Sequence, residues 1–180
     1  VNVTGSAGIL PDVRNWWGAS FADYDGDGRL DLVVTTVSYA PGETRWSTVS
    51  APVLLYHNEG AGVFAEVATS MGLTSVIGNV KNPVWLDYDD DGDLDLLISG
   101  MHQLMLYEND GGAHFTDVSR AAFPTAITDA PNTWAAAAAD FDQDGREDLY
   151  LGRWDEQDYL LRNRGDGTFE ALGTEIGLDM

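Results

Sequence analysis

The stretch FADYDGDGRLDLVV, Phe21 to Val34, sets Asp23, Asp25, Asp27 and Asp31 in the spacing D-x-D-x-D-G-x-x-D and runs straight into an apolar segment. Carboxylates packed this closely repel one another unless a cation gathers them. The device recurs in WLDYDDDGDLDLLIS from Trp85 and in AADFDQDGREDLYLG from Ala138. The spacing offers side-chain oxygens at positions 1, 3, 5 and 9, and a backbone carbonyl at position 7 would fill out the shell. Hard oxygen donors in this number suit Ca²⁺, and Gly28, Gly92 and Gly145 at position 6 permit the sharp turn. An EF-hand would need a bidentate acid at position 12 and flanking helices. Position 12 is Val34, Ile98 and Leu151, inside strand-like runs, so that reading fails three times.

Composition narrows the rest. The 180 residues carry a formal charge of −21, with nine lysines plus arginines and a single lysine, Lys81. Nothing resembles a basic patch, which argues against nucleic acid or an anionic membrane surface as partner. Cysteine is absent, so there is no disulfide framework, thiol chemistry or thiolate metal site. At 44% apolar the chain is globular and long enough for one domain with a sizeable core. No apolar run approaches the roughly 18–20 residues of a membrane span. The N-terminus, VNVTGSAGIL, has neither an initiator Met nor a basic leader and reads as a processed or excised end.

The aspartate loops recur at roughly 50–65-residue intervals, where internal repeats mean propellers or solenoids. Each unit carries a second signature, LLYHNEGAGVF, MLYENDGGAHF or LLRNRGDGTF, and a closing element, EVATSMGL, DVSRAAF or ALGTEIGL. The N-terminal NVTGSAGI matches that closing element. The expected organisation is a strand-4 tail of a preceding repeat (1–10) and a first blade (11–73, with an insertion at 38–52). A second blade (74–123) and a third (124–180) follow. Each unit reads as four short strands, in the first about Trp16–Ala22, Leu30–Val37, Val53–His57 and Val63–Ala68. WAAAAADF, Trp134–Phe141, has helical propensity, but its place in the repeat predicts a crowded first strand.

FADYDGDGRLDLVV followed by the N-x-G-x-G-x-F turn resembles the FG-GAP (VCBS-type) repeat of integrin α-subunit propellers. It is especially similar to the bacterial and cartilage-acidic-protein branch, and the resemblance covers essentially the whole chain. It implies an all-β fold of four-stranded antiparallel propeller blades, with Ca²⁺ in each loop between strands 1 and 2, three sites in all. Carried over by position, the ligands are Asp23, Asp25, Asp27, Arg29 (carbonyl) and Asp31; Asp87, Asp89, Asp91, Asp93 (carbonyl) and Asp95; and Asp140, Asp142, Asp144, Arg146 (carbonyl) and Asp148. Asp90 and Glu147 are extra acids, and Gly112-Ala113 departs from the turn pattern. Family propellers have about six or seven blades, so three blades predict completion by a longer chain, a ring of two copies or a filament.

In such a blade the calcium loops and N-x-G-x-G turns share one end, and the opposite end receives Trp16, Trp17, Trp46, Trp134 and Trp154. Trp17, Trp46, Trp134, Arg153 and Trp154 are therefore candidate ligand-binding residues, against the plainer alternative that the tryptophans pack between blades. The regularly spaced carboxylates are committed to metal, and His57, His102 and His114 share no spacing with a nucleophile. They read as ordinary strand and loop residues. The Arg164-Gly165-Asp166 tripeptide belongs to the turn that the repeat demands. The expected function is non-enzymatic: an extracellular, calcium-stabilised binding, adhesion or assembly module working through protein contacts or self-association. A carbohydrate-binding, lectin-like propeller, or the accessory part of a polysaccharide-active enzyme, is the alternative.

Overall fold

The apolar run after each aspartate loop forms the second strand of a sheet, and in the middle sheet that strand is buried on both faces. The computed structural model describes residues 4–9, 15–37, 50–73, 76–77, 80–101, 103–129, 132–154 and 156–172. In chain order the first strands are β1 (Asn15–Ala22), β2 (Asp31–Val37), the two-residue β3 (Ser50–Ala51), β4 (Val53–Gly60) and β5 (Val63–Glu66). Then come the two-residue β6 (Val76–Ile77), β7 (Val80–Leu86), β8 (Asp95–Gly100), β9 (Leu104–Asn109) and β10 (Phe115–Asp117). Two short helices, α1 (Ser119–Ala122) and α2 (Thr125–Asp129), lead to β11 (Thr133–Ala139), β12 (Asp148–Arg153), β13 (Tyr159–Asn163) and β14 (Phe169–Leu172).

These make three four-stranded antiparallel sheets, β1-β2-β4-β5, β7-β8-β9-β10 and β11-β12-β13-β14, plus a small β3-β6 pair. This is the expected blade architecture. β7 touches both β1 and β11, so the first strands lie side by side at the inner edge of the fan. The alanine run is strand, as its repeat position predicts: its neighbours in the sheet and at the inner edge outweigh helical propensity. The helices and the β3-β6 pair were not expected. Most of the expected insertion (38–49) and most of the last closing element (173–180) lie outside the described residues.

Two clusters of buried side chains join the sheets. One packs Tyr24, Val33, Val53 and Leu55 of the first against Leu96, Ile98, Tyr107 and Phe115 of the second. The other packs Leu86, Leu97 and Leu106 against Leu149, Leu151 and Leu161 of the third. Successive residues of β8 thus turn to opposite neighbours, which explains its unbroken apolar run. Residues 4–9 lie over the first sheet as residues 68–73 lie over the second. Phe64 N–H donates to the Ala7 carbonyl (2.8 Å) and Phe115 N–H to the Met71 carbonyl (2.7 Å).

Each first strand has a β-bulge at the end away from the aspartate loop: between Trp16 and Gly18, Val80 and Pro83, and Thr133 and Ala135. The bulges hold Trp17, Lys81 and Trp134, which occupy one repeat position. Lys81 is fully buried, with Nζ 3.3 Å from the Trp17 ring centroid and 4.2 Å from that of Trp134. Burial pushes its ammonium pKa down to about 8, while the two indole faces favour the charged form. The backbones also touch here: a Cβ on Gly18 would lie 2.2 Å from the Lys81 carbonyl oxygen, so only glycine fits.

Candidate metal centres

The three aspartate loops are built to one plan, and the hydrogen bonds explain the first, fifth and ninth positions. The ninth-position aspartates, Asp31, Asp95 and Asp148, open the second strands and are buried. Their Oδ1 atoms accept the main-chain N–H of Asn58 (2.7 Å), Asn109 (2.8 Å) and Asn163 (2.8 Å) from the third strands. Their Oδ2 atoms accept the N–H of the second-position aromatics, Tyr24 (3.4 Å), Tyr88 (3.0 Å) and Phe141 (3.1 Å). First-position Oδ2 atoms take the glycine N–H at position 6, at 2.9 Å for Gly28, 3.1 Å for Gly92 and 3.0 Å for Gly145. Fifth-position Oδ1 atoms take the N–H of position 7, at 2.9 Å for Arg29 and Asp93 and 3.0 Å for Arg146.

Carboxylate oxygens of each loop also converge, some of them already accepting these N–H groups. One carboxylate oxygen from each of Asp87, Asp89 and Asp95, and likewise of Asp140, Asp142 and Asp148, lies within 4.8 Å of the others. In the first loop, Asp23, Asp25 and Asp27 group this way, and Asp25 and Asp31 form a second group with His57. Asp91 and Asp144 are outside these groups, although each lies in its loop. The Oδ1 atoms of Asp23 and Asp89 are buried without a hydrogen-bond partner, a costly state that a hard cation would relieve. An all-oxygen set of this kind fits Ca²⁺. Burial, reinforced by the Asp89 and Asp91 charges, raises the Asp95 carboxyl to about 7. Burial, above all, also raises Asp31, Asp89 and Asp148.

A carboxyl held protonated must lose its proton to bind a cation. Asp95 is expected to make calcium affinity at the second loop rise up to about tenfold per pH unit below its folded pKa. Its pKa lies above the unfolded value, so in the metal-free protein it contributes stability at low pH that is lost as pH climbs toward 7. The calcium-induced rise in melting temperature should therefore be larger at pH 8 than at pH 5.5. Equal rises at both would contradict this.

The loops are not identical. Arg29 pairs with Asp27 and Arg146 with Asp144, whereas position 7 of the second loop is Asp93. The residue before each third-strand asparagine also differs. Glu108 accepts the Tyr88 hydroxyl at 2.8 Å, Arg162 binds Glu170 at 2.8 Å, and His57 stands against Asp25 and Asp31. Sequence reading passed over His57 because the contact depends on cross-strand placement. Glu147, set aside there as an extra acid, accepts the Asp87 N–H at 3.0 Å and links the second and third loops.

At the opposite end, Trp17 and Trp134 are engaged on Lys81, and Trp154 lies against Trp134 with ring centroids 4.8 Å apart. Arg153 pairs with Glu156 and covers the Tyr159 ring. Trp46 lies outside the described residues.

Residues 87–151 and 140–179 match the FG-GAP-like repeat, and residues 15–45 match the FG-GAP repeat. The chain belongs to the FG-GAP repeat family. Cartilage acidic protein 1 of Xenopus tropicalis is 28% identical over 130 residues, 69% of this chain and 19% of that protein. The chain thus spans about a fifth of that relative's length. Among solved structures it is similar to an Agrocybe aegerita lectin that recognises non-reducing terminal N-acetylglucosamine, with a TM-score of 0.41 and 20% identity. That match covers 90% of this chain and 52% of the lectin. FG-GAP repeats are generally calcium-binding, in keeping with the clustered aspartates, and no helix among the described residues is long and apolar enough to cross a membrane.

Proposed function

We propose that this FG-GAP segment is an extracellular, calcium-stabilised module that works without catalysis, through protein contacts, and that it associates with further copies of itself. The ligands are those assigned by repeat position, and calcium, when bound, supplies the positive charge the loops lack. Extracellular modules bind calcium with Kd of roughly 10⁻⁴–10⁻³ M, matching an outside location.

The observation that carries the assembly reading is the exposure of one repeat position. Tyr24 and Tyr88 are 4% and 5% exposed, each covered by the following sheet, whereas Phe141 is 42% exposed. Trp85 stacks on Tyr24 nearly in parallel, with centroids 6.3 Å apart. The residue of the first sheet at the Trp85 position is Phe21, 58% exposed. A second copy that docks Phe21 on Phe141 would repeat the contact the chain already makes internally, and two such contacts would close a ring with two-fold symmetry. In calcium at micromolar concentration the protein should sediment as an oligomer, and Phe21→Ser or Phe141→Ser should return it to monomer. A monodisperse wild-type monomer would overturn the assembly reading.

A second reading is favoured by Trp154, 56% exposed and inclined against Trp134, which offers a flat aromatic platform for a sugar ring. Glycan binding that Trp154→Ala abolishes would favour it.

A further inference from the structure

The first aspartate loop differs from the other two in carrying a nitrogen donor. His57 Nδ1 lies 3.1 Å from Asp25 Oδ2 and 3.3 Å from Asp31 Oδ1. The Nδ1 atom is buried and makes no hydrogen bond among the described residues, while the side chain as a whole is 20% exposed. The three atoms come from the β1–β2 loop, the start of β2 and β4, so the fold, not local sequence, brings them together. Asp31 is held in place by the Asn58 and Tyr24 N–H groups, and the Tyr24 ring stands edge-on to His57 at 6.4 Å. The neighbouring third strands put Glu108 and Arg162 at the same place, so the nitrogen belongs to the first loop.

We propose that Asp25, Asp31 and His57 form a mixed nitrogen–oxygen site that selects a borderline divalent transition metal such as Zn²⁺ over Ca²⁺, leaving the second and third loops to calcium. Imidazole is a preferred ligand for first-row metals from cobalt to zinc, whereas calcium prefers oxygen alone. The spacing is suitable: bonds of about 2.0–2.1 Å put neighbouring tetrahedral donors about 3.3 Å apart. Asp25 also belongs to the all-oxygen group of the first loop, so the transition metal competes with calcium there rather than adding a fourth ion.

The proposal rests on the metal reading of the loops, and its test separates the two. Wild type and His57→Gln are dialysed in excess calcium with Zn²⁺, and both metals are quantified per chain. Wild type should hold one zinc and His57→Gln none, with calcium restored in its first loop. Zinc absent from wild type, or undiminished in His57→Gln, overturns the site. Calcium absent from every loop would instead overturn the calcium reading while leaving zinc uptake to be judged on its own. Should His57→Gln fail to fold, the wild-type histidine ring nitrogens decide by NMR. The zinc-induced coordination shift should fall on His57 Nδ1, and a shift confined to His102 or His114 overturns the proposal.

Discussion

Stripping divalent cations with EDTA should lower the melting temperature by roughly 15–30 °C. A ligand that binds only the folded state at 100 times its Kd stabilises by about 2.7 kcal/mol per site. Three sites give about 8 kcal/mol, on the scale of a whole domain's stability, and each kcal/mol moves the midpoint of a chain this size by about 2–4 °C. The source of the instability is visible in the loops. The carboxylates are gathered by backbone N–H donors that fix their orientation but carry no net charge, and three divalent ions would bring the formal net charge from −21 to −15. The second loop should fill first in a calcium titration. It carries the extra acid Asp90 and the side-chain charge of Asp93, whose carbonyl is the assigned ligand, and no arginine there opposes the fifth-position aspartate as Arg29 and Arg146 do elsewhere. A melt indifferent to EDTA would refute the calcium reading for all three loops. Loss of a single site would produce about a third of the shift.

What the sequence made legible is what repetition encodes. The strands of the first sheet, the strand character of the alanine run and the shared plan of the aspartate loops could all be read by aligning the repeats. Contacts between non-equivalent residues could not. Lys81 stands at the repeat position of Trp17 and Trp134, but only the bulges of the three inner strands turn it between their rings. His57 looks like an ordinary strand residue until β4 is laid beside β2, which sets it against Asp31. The helices α1 and α2 interrupt a segment whose repeat equivalents end in turns, and their few residues show too little periodicity to register. The β3-β6 pair is two residues a side and exists only because distant segments meet.

The same dependence on neighbouring sheets makes Asn109→Ala strongly destabilising. Asn109 is fully buried. Its amide donates to the Tyr24 carbonyl of the preceding loop (2.8 Å) and to the Leu94 carbonyl (3.0 Å), and its Oδ1 accepts the Gly112 N–H (2.8 Å). Asn163 repeats the clasp one sheet on, donating to the Tyr88 carbonyl at 2.7 Å. Alanine at 109 would leave three main-chain groups without these partners, at about 1 kcal/mol each. That is a loss of about 3 kcal/mol, or roughly 6–12 °C. Asn58 provides the control. Its side chain bonds Leu30 and Gly60 at 2.9 and 3.0 Å, within its own sheet. Asn58→Ala should therefore cost less, and should leave the coupling between loops intact. Asn109→Ala should also weaken calcium binding at the first loop, whose second-position carbonyl it releases, more than at the third. If the two alanine variants melt together, the asparagine is a local turn residue, and the sheets are joined by apolar packing alone.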